Sequence, residues 1–229
     1  MIFLLDYDGT IVPIAPAPDA AVIDDKTKNL IENLLRKHKV AIVTGRDYDS
    51  FRKVFGKVPE NLFVVTSHGY EIYRNETLIH KEREIYKPPL EDLEKKISNM
   101  DGVFLEKKRG GFALHYRLFG GKEEEVKKIF SEFIKKHPPR KIIEGKKVLE
   151  GVYSEADKGK GIEKLFNITG WNPKDAVYIG DDTTDFDAFR VIKNLGGKAY
   201  YVGANIPPVN IDHRLKDVEE VIELLKKFT

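Results

Sequence analysis

The sequence predicts an α/β protein: a doubly wound parallel sheet covered by helices, interrupted once by an inserted α+β domain. Short apolar runs recur, each bounded by Asp, Gly or Thr: IFLL (2–5), VAIV (40–43), LFVV (62–65), AVYI (176–179) and AYYV (199–202). Runs of this length without alternation read as strands buried on both faces. Helical patterns lie between them, so neighbouring strands are parallel and their connections right-handed. The rhythm breaks in the middle of the chain, where strands alternate apolar and polar residues and so belong to a sheet with one packed face.

Taken in order, IFLL is followed by the helical stretch DDKTKNLIENLLRKH (24–38), with acids at its start and bases at its end, as the helix dipole favours. VAIV and LFVV come next. After Lys87-Pro88-Pro89 the pattern changes to a charged amphipathic helix, LEDLEKKISNM (90–100), then VFLEKK (103–108) and FALHYRLF (112–119), joined by Arg109-Gly110-Gly111. A second helix, KEEEVKKIFSEFIKKH (122–137), and two short strands within KIIEGKKVLEGV (141–152) repeat the α-β-β order. AVYI, the helix in DFDAFRVIKNLGG (185–197), AYYV and the helix DVEEVIELLKKF (217–228) then restore the first pattern. The expected organisation is a core of residues 1–84 and 154–229, with 85–153 inserted.

Composition narrows the partners. At 229 residues and 41% hydrophobic content the chain buries a sizeable core. Thirty-nine Lys and Arg nearly balance 37 Asp and Glu, and a net +2 argues against nucleic acid or an acidic membrane as partner. The absence of cysteine excludes disulfides and thiolate metal sites. Ile2–Leu5 is too short for a signal peptide or a membrane span, so a cytoplasmic monomer acting on a small molecule is expected.

The chemistry lies where the strands end. In a doubly wound sheet, ligands bind beyond the carboxyl ends of the strands. Asp6, Thr44 and Asp181 each follow an apolar run within a residue or two and so share that edge. Alone, Thr44-Gly45 or Asp182 reads as a turn or a helix cap. Asp6, Asp8 and a third acid together are another matter, since like charges ~4 Å apart cost roughly 4 kcal/mol at an effective dielectric of ~20. A cation must relieve them, and an all-oxygen donor set favours Mg²⁺ over Zn²⁺. The hydroxyl and tight turn of Thr44-Gly45-Arg46, Lys158 before Gly159, and Gly180 at the entry to the acidic loop suit a bound phosphate. These parts fit phosphoryl transfer through an aspartyl-phosphate: Asp6 attacks phosphorus, and Asp8 protonates the leaving alkoxide and then deprotonates water. Lys158 and the metal would neutralise charge on the equatorial oxygens.

Asp6-Tyr7-Asp8-Gly9-Thr10, Thr44-Gly45-Arg46, Lys158-Gly159 and Gly180-Asp181-Asp182-Thr183-Thr184-Asp185 resemble, in order and spacing, the motifs of the haloacid-dehalogenase-like phosphohydrolases. The resemblance implies a Rossmann-like hydrolase core with Asp6 as nucleophile and Asp8 as acid and base. It also implies Thr44 and Lys158 on the phosphate, and Mg²⁺ held by Asp6, the Asp8 backbone carbonyl and Asp181, with Asp182 and Asp185 in a supporting loop. The family often carries a cap between its second and third motifs, where 85–153 lies.

Leu105-Glu106-Lys107-Lys108, Ala113-Leu114-His115-Tyr116-Arg117 and Glu150 are similar to the cap of the trehalose-6-phosphate phosphatases, and GDDTTDFDAF resembles their last motif. By spacing, Glu106 and Lys108 share one face of a strand, as do His115 and Arg117. Such a face reads either as a solvated surface with cross-strand ion pairs or as donors and acceptors for sugar hydroxyls. The resemblance implies the second, with Glu106, Lys108, His115, Arg117 and Glu150 on the substrate and Gly45, Arg46 and His68 near the site mouth. On their own, His68 reads as a turn residue and Arg46 as a surface residue at a helix start. Phe186 departs from the family's usual glutamate and Tyr153 from its usual proline. The expected reaction is hydrolysis of trehalose 6-phosphate. Alternatives are another sugar phosphate (sucrose phosphate or mannosylglycerate phosphate), a hexose phosphomutase, or a non-catalytic sugar-phosphate-binding module.

Overall fold

The five apolar runs all become strands, set among further elements that periodicity does not reveal. In the computed structural model, which describes all residues except Glu84, Ile85, Arg109 and Ile206, the chain begins with β1 (Ile2–Leu5), α1 (Asp25–Lys37), β2 (Lys39–Val43) and α2 (Tyr48–Phe55). There follow β3 (Phe63–Thr66), β4 (Glu71–Arg74) and β5 (Thr77–Lys81). The middle holds α3 (Glu91–Ile97), β6 (Phe104–Lys108), β7 (Gly111–His115), α4 (Glu123–Lys136), β8 (Lys141–Gly145) and β9 (Val148–Val152). The chain closes with α5 (Lys158–Thr169), β10 (Ala176–Gly180), α6 (Phe186–Asn194), β11 (Lys198–Val202), β12 (His213–Leu215) and α7 (Val218–Lys226). It divides into two compact units, Met1–Lys81 with Ala156–Thr229, and Glu82–Glu155. The boundary expected at residue 85 and Arg109 of the hairpin turn lie outside the described residues.

Among the described residues the larger unit holds an eight-stranded sheet in the order β12-β11-β10-β1-β2-β3-β4-β5. The pairings from β12 to β3 are parallel, and β4 and β5 extend the edge as an antiparallel hairpin. Successive strand residues point to opposite faces. Phe3, Leu5, Val40, Ile42, Val177 and Ile179 therefore pack with α1, α2 and α7, while Ile2, Leu4, Ala41, Val43 and Tyr178 pack with α5 and α6. Both faces are apolar because both are covered. From β1 the chain proceeds outward through β2 and β3 and later returns to build β10, β11 and β12 on the other side. The order reverses between β1 and β10, the place where such sheets open a crevice beyond their carboxyl edge.

Aspartates start most helices of this unit. Asp24, Asp47, Asp157 and Asp217 each accept a hydrogen bond from the backbone N–H three residues on, at 2.7, 2.7, 2.8 and 3.1 Å. Asp6, Asp181 and Asp185 do not serve this way. Asp185 occupies the cap position of α6 yet makes no side-chain cap bond.

In the smaller unit an antiparallel sheet, β6-β7-β9-β8, packs Phe112, Leu114 and Leu149 against Leu93 and Ile97 of α3 and Val126, Phe130 and Phe133 of α4. Its other face carries Glu106, Lys108, His115 and Glu150. Ala113 lies opposite both Glu106 and Glu150, and Gly111 lies opposite Lys108. Small residues on the central strand thus leave room for long side chains to meet across it. No helix among the described residues is long and apolar enough to cross a membrane.

Candidate active site

Each strand that borders the crevice delivers a polar residue at its carboxyl end. β1 delivers Asp6, which is buried. Its Oδ1 accepts from Lys158 Nζ at 2.6 Å and its Oδ2 from Thr10 Oγ1 at 3.1 Å. β10 leads through Gly180 into Asp181. Beyond it Asp185, fully buried, is surrounded by donors: Lys158 Nζ (2.7 Å) and Tyr178 Oη reach its Oδ1, and the backbone N–H groups of Asp181 (3.0 Å) and Asp182 (2.9 Å) reach its Oδ2. Asp185 therefore ties the acidic loop to the sheet and to Lys158, while Asp182 caps its own turn by accepting from Thr183 N at 2.6 Å.

Lys158 sits at the first position of α5. A cation is disfavoured there by the helix dipole, so local propensity does not explain it. The carboxylates do: burial alone would lower the ammonium's pKa, but Asp185 and Asp6 outweigh burial and hold it above the usual lysine value. Asp6 shows the opposite balance. Burial pushes its carboxyl well above the ordinary value, against Lys158 and with Asp185 and Asp181 adding repulsion. Oxygens of Asp6, Asp181 and Asp185 lie within 4.8 Å of one another. That closeness depends on Gly9, whose φ is +87° and whose missing Cβ would sit 2.2 Å from Asp181 Oδ2.

β2 delivers Thr44, buried, with its N–H on Val65 O at 2.8 Å and its Oγ1 accepting from Arg46 N at 3.1 Å. After β3, Ser67 and His68 take positive φ values of 48° and 54°, a strained turn for residues that are not glycine. Two bonds hold it: Ser67 N to Arg46 O at 2.7 Å and His68 N to Thr44 O at 3.1 Å. His68 is thereby pressed onto Gly45, where a Cβ would come within 2.5 Å of the imidazole. His68 and Gly45 share one corner of the carboxyl edge.

Arg46 differs from the reading as a surface residue at a helix start: its side chain is 8% exposed, and its Nε and Nη2 each donate at 2.7 Å to the two oxygens of Asp8. Asp8 is thus engaged through both carboxylate oxygens with an arginine.

In the smaller unit Lys108 Nζ donates to Glu150 Oε2 at 2.9 Å and lies 4.0 Å from Glu106 Oε2, which is 2.7 Å from His115 Nε2. His115 stacks on Phe104 with ring centroids 4.5 Å apart. Arg117 follows the end of β7 at His115 by two residues, and its Nη2 donates to Lys146 O at 2.8 Å. Burial would raise Glu106, but Lys108 and the contact with His115 prevail and hold it below its ordinary value of 4.5. A carboxylate depressed on folding stabilises the native state above its unfolded pKa and loses that contribution as pH falls through the folded value. The gap in urea midpoint between wild type and Glu106→Gln should be full at about pH 7 and shrink as pH drops below about 4.5. A gap independent of pH would show that the carboxylate charge is not what the neighbours hold.

The trehalose-phosphatase family model matches residues 4–215. The chain belongs to the trehalose-phosphatase family. The named relatives include "Probable trehalose-phosphate phosphatase D" of Arabidopsis thaliana, 31% identical over 252 residues that cover 100% of this chain and 67% of the relative. The chain spans about two thirds of the length of the curated plant relatives it matches. Among solved structures, a trehalose-6-phosphate phosphatase related protein superposes with a TM-score of 0.83 at 22% identity, covering 99% of this chain and 96% of the other. A haloacid dehalogenase-like hydrolase from Bacteroides thetaiotaomicron gives 0.69 at 15% identity, covering 100% and 99%. These two likenesses establish the fold, a haloacid-dehalogenase-like α/β core. As a member of the trehalose-phosphatase family the protein is a phosphatase, and the carboxyl-edge cluster is its candidate active site.

Proposed function

We propose that this phosphatase hydrolyses trehalose 6-phosphate to trehalose and phosphate through a phosphoryl group carried on Asp6. The observation that carries the chemistry is the buried Lys158 bridging Asp6 and Asp185 at the strand ends. The helix dipole disfavours a lysine at this position, and its two carboxylate partners hold its charge at the strand ends, where a phosphate would bind. In the first step an Asp6 oxygen bonds to phosphorus as the bond from phosphorus to the sugar oxygen breaks, and Asp8 gives that oxygen a proton. In the second, Asp8 takes a proton from water as the water oxygen bonds to phosphorus, and the bond to Asp6 breaks to release phosphate. Lys158 and Thr44 hold the non-transferring oxygens.

The donor set fits Mg²⁺. It is all oxygen, and three clustered carboxylates face one ammonium, an excess of negative charge suited to a hard divalent ion. Asp6, Asp181 and the Asp8 backbone carbonyl would hold it. Asp185, whose oxygens already accept from Lys158, Tyr178 and two backbone N–H groups, would support the loop instead. When bound, the ion would offset charge on the phosphate oxygens and orient them toward Asp6.

The substrate reading rests on the relatives' names and on the Glu106, Lys108, His115 and Glu150 cluster, which offers donors and acceptors for sugar hydroxyls. We assign the unit that bears it, Glu82–Glu155, the role of a specificity cap. Lys108→Ala should raise KM for trehalose 6-phosphate by about 10-fold or more, since a charged hydrogen bond contributes about 1.5–3 kcal/mol. The value of kcat/KM for p-nitrophenyl phosphate, which has no sugar to recognise, should change less than about 3-fold. Equal losses on both substrates would refute a sugar-binding role.

A further inference from the structure

We infer that Arg46 is a positioning residue for the general acid: it fixes the carboxylate of Asp8 in one plane through a bidentate pair and does not itself bind substrate. The inference rests on the phosphatase mechanism proposed above.

The geometry is overdetermined. The two 2.7 Å bonds run from the Nε and Nη2 edge of one planar guanidinium to the two oxygens of one carboxylate, the fork-to-fork arrangement that only arginine forms. The fork is itself anchored. Arg46 Nη2 also donates to Pro18 O at 2.8 Å, Nη1 donates to Ser50 Oγ at 3.3 Å, and the guanidinium carbon lies 5.5 Å from the centre of the Tyr7 ring. Its backbone is held on both sides, by Thr44 Oγ1 through its N–H and by Ser67 N through its carbonyl. The tyrosine beneath it is fixed too, with its hydroxyl on Ala21 O at 3.0 Å. A side chain so restrained has little freedom to follow a ligand.

Asp8 is the freer partner: its side chain is 36% exposed against 8% for Arg46. An ionised carboxylate has about four lone-pair sites, and a bidentate fork takes one on each oxygen. The remaining site on each oxygen stays available for a proton moving to the sugar oxygen or from water. Arg46 thus restricts the rotation of Asp8 without consuming its capacity. A mobile acid one residue removed from the nucleophile's neighbour would otherwise sample many orientations, and proton transfer demands heavy-atom distances of roughly 2.6–3.2 Å.

The test exploits the leaving group. A sugar alkoxide must be protonated to depart, whereas p-nitrophenolate leaves without help, so a residue that works through the acid matters for one ester and not the other. Values of kcat/KM, which report the steps through leaving-group departure, are measured on trehalose 6-phosphate and on p-nitrophenyl phosphate for wild type, Arg46→Lys, Arg46→Ala, Asp8→Asn and the double variant Asp8→Asn with Arg46→Ala. Both single Arg46 variants should lose about 10²-fold on the sugar ester, with KM within about 3-fold of wild type, and less than about 5-fold on the nitrophenyl ester. Adding Arg46→Ala to Asp8→Asn should cost less than about 3-fold more, because there is no acid left to position. Guanidinium chloride at non-denaturing concentration should restore part of the Arg46→Ala loss.

A rise in KM at unchanged kcat would make Arg46 a substrate-binding residue and overturn the inference. So would equal losses on both esters, or multiplicative losses in the double variant. A wild-type protein active on p-nitrophenyl phosphate but silent on trehalose 6-phosphate would refute the substrate assignment instead. The Arg46 comparison would then be repeated on whichever alkyl phosphate is hydrolysed.

Discussion

Asp6→Asn should abolish turnover, lowering kcat by roughly 10⁴-fold or more, while leaving the protein folded and at least as resistant to heat as wild type. The first part follows from the role of the side chain. An amide oxygen is a poor nucleophile toward phosphorus, so the two-step route closes, and what remains is phosphate held beside Lys158 with no group to attack it. The second part follows from the electrostatics. Burial and the adjacent Asp185 and Asp181 carboxylates push Asp6 well above its usual pKa, which means its charge is held there at a cost. Asparagine removes that cost and keeps its one oxygen for the Lys158 bond, while its amide N–H can donate to the Thr10 hydroxyl. Stability gained as activity is lost is the signature of a site built for chemistry. Thermal melts and steady-state rates on one preparation decide it. Retention of more than about a tenth of wild-type turnover would mean that Asp6 is not the nucleophile.

Lys158→Ala should lose activity and stability together. Removing one electrostatic stabiliser of developing charge lowers kcat by roughly 10²–10³-fold. Here the fold also suffers, because Asp6 and Asp185 are both buried and both lose their counter-charge once the ammonium is gone. Leaving buried charges without their partner costs about 3–5 kcal/mol, a large share of a typical 5–15 kcal/mol. The pH dependence has a definite sign. An acid whose native pKa is raised above its unfolded value binds its proton more tightly when folded, so the native state gains as pH falls. The stability deficit of the variant should therefore narrow from about pH 8 to about pH 5 as the orphaned Asp6 carboxylate takes up a proton. Urea midpoints across that range read it directly. A variant as stable as wild type at every pH would show that Lys158 is not the counter-charge of the cluster.

The parts that were legible from sequence are those whose cause is local. IFLL, VAIV, LFVV, AVYI and AYYV are unbroken apolar runs because both sheet faces are covered, and α1, α4 and α7 carry acids at one end and bases at the other. Asp6 and Asp8 were conspicuous because nothing in their own stretch of chain compensates them. Strands β4 and β5 were missed. β5 lies at the edge and is largely exposed, and its turn runs through Asn75 and Glu76, both with positive φ, without the glycine that marks most such turns. β12 has three residues, and α2, with eight, is too short to show a convincing helical period.

The candidate site's acids and lysine stand out in the sequence, but the pairings among them do not. Asp185 and Lys158 are 27 positions apart, and Arg46 and Asp8 are 38 apart, so neither pairing leaves a local trace. A signal did exist for Asp185: it stands where an aspartate would cap a helix, as Asp24, Asp47, Asp157 and Asp217 do, yet its carboxylate serves other donors. For Lys158 the signal is a cation at the start of a helix, against the dipole. Arg117 lies two residues beyond His115, where β7 stops, so strand alternation alone does not fix its place on that face.

The proposed reaction is Mg²⁺-dependent hydrolysis of a disaccharide phosphate. Phosphate release should be measured over trehalose 6-phosphate, sucrose phosphate, mannosylglycerate phosphate and glucose 6-phosphate, after chelation and then with Mg²⁺ restored. Release should need Mg²⁺, and kcat/KM for trehalose 6-phosphate should be at least about 10-fold above every other ester, the margin that sugar-facing hydrogen bonds supply. A preference for another ester would contradict the substrate assignment, and the absence of Mg²⁺-dependent release from all of them would contradict the reaction itself.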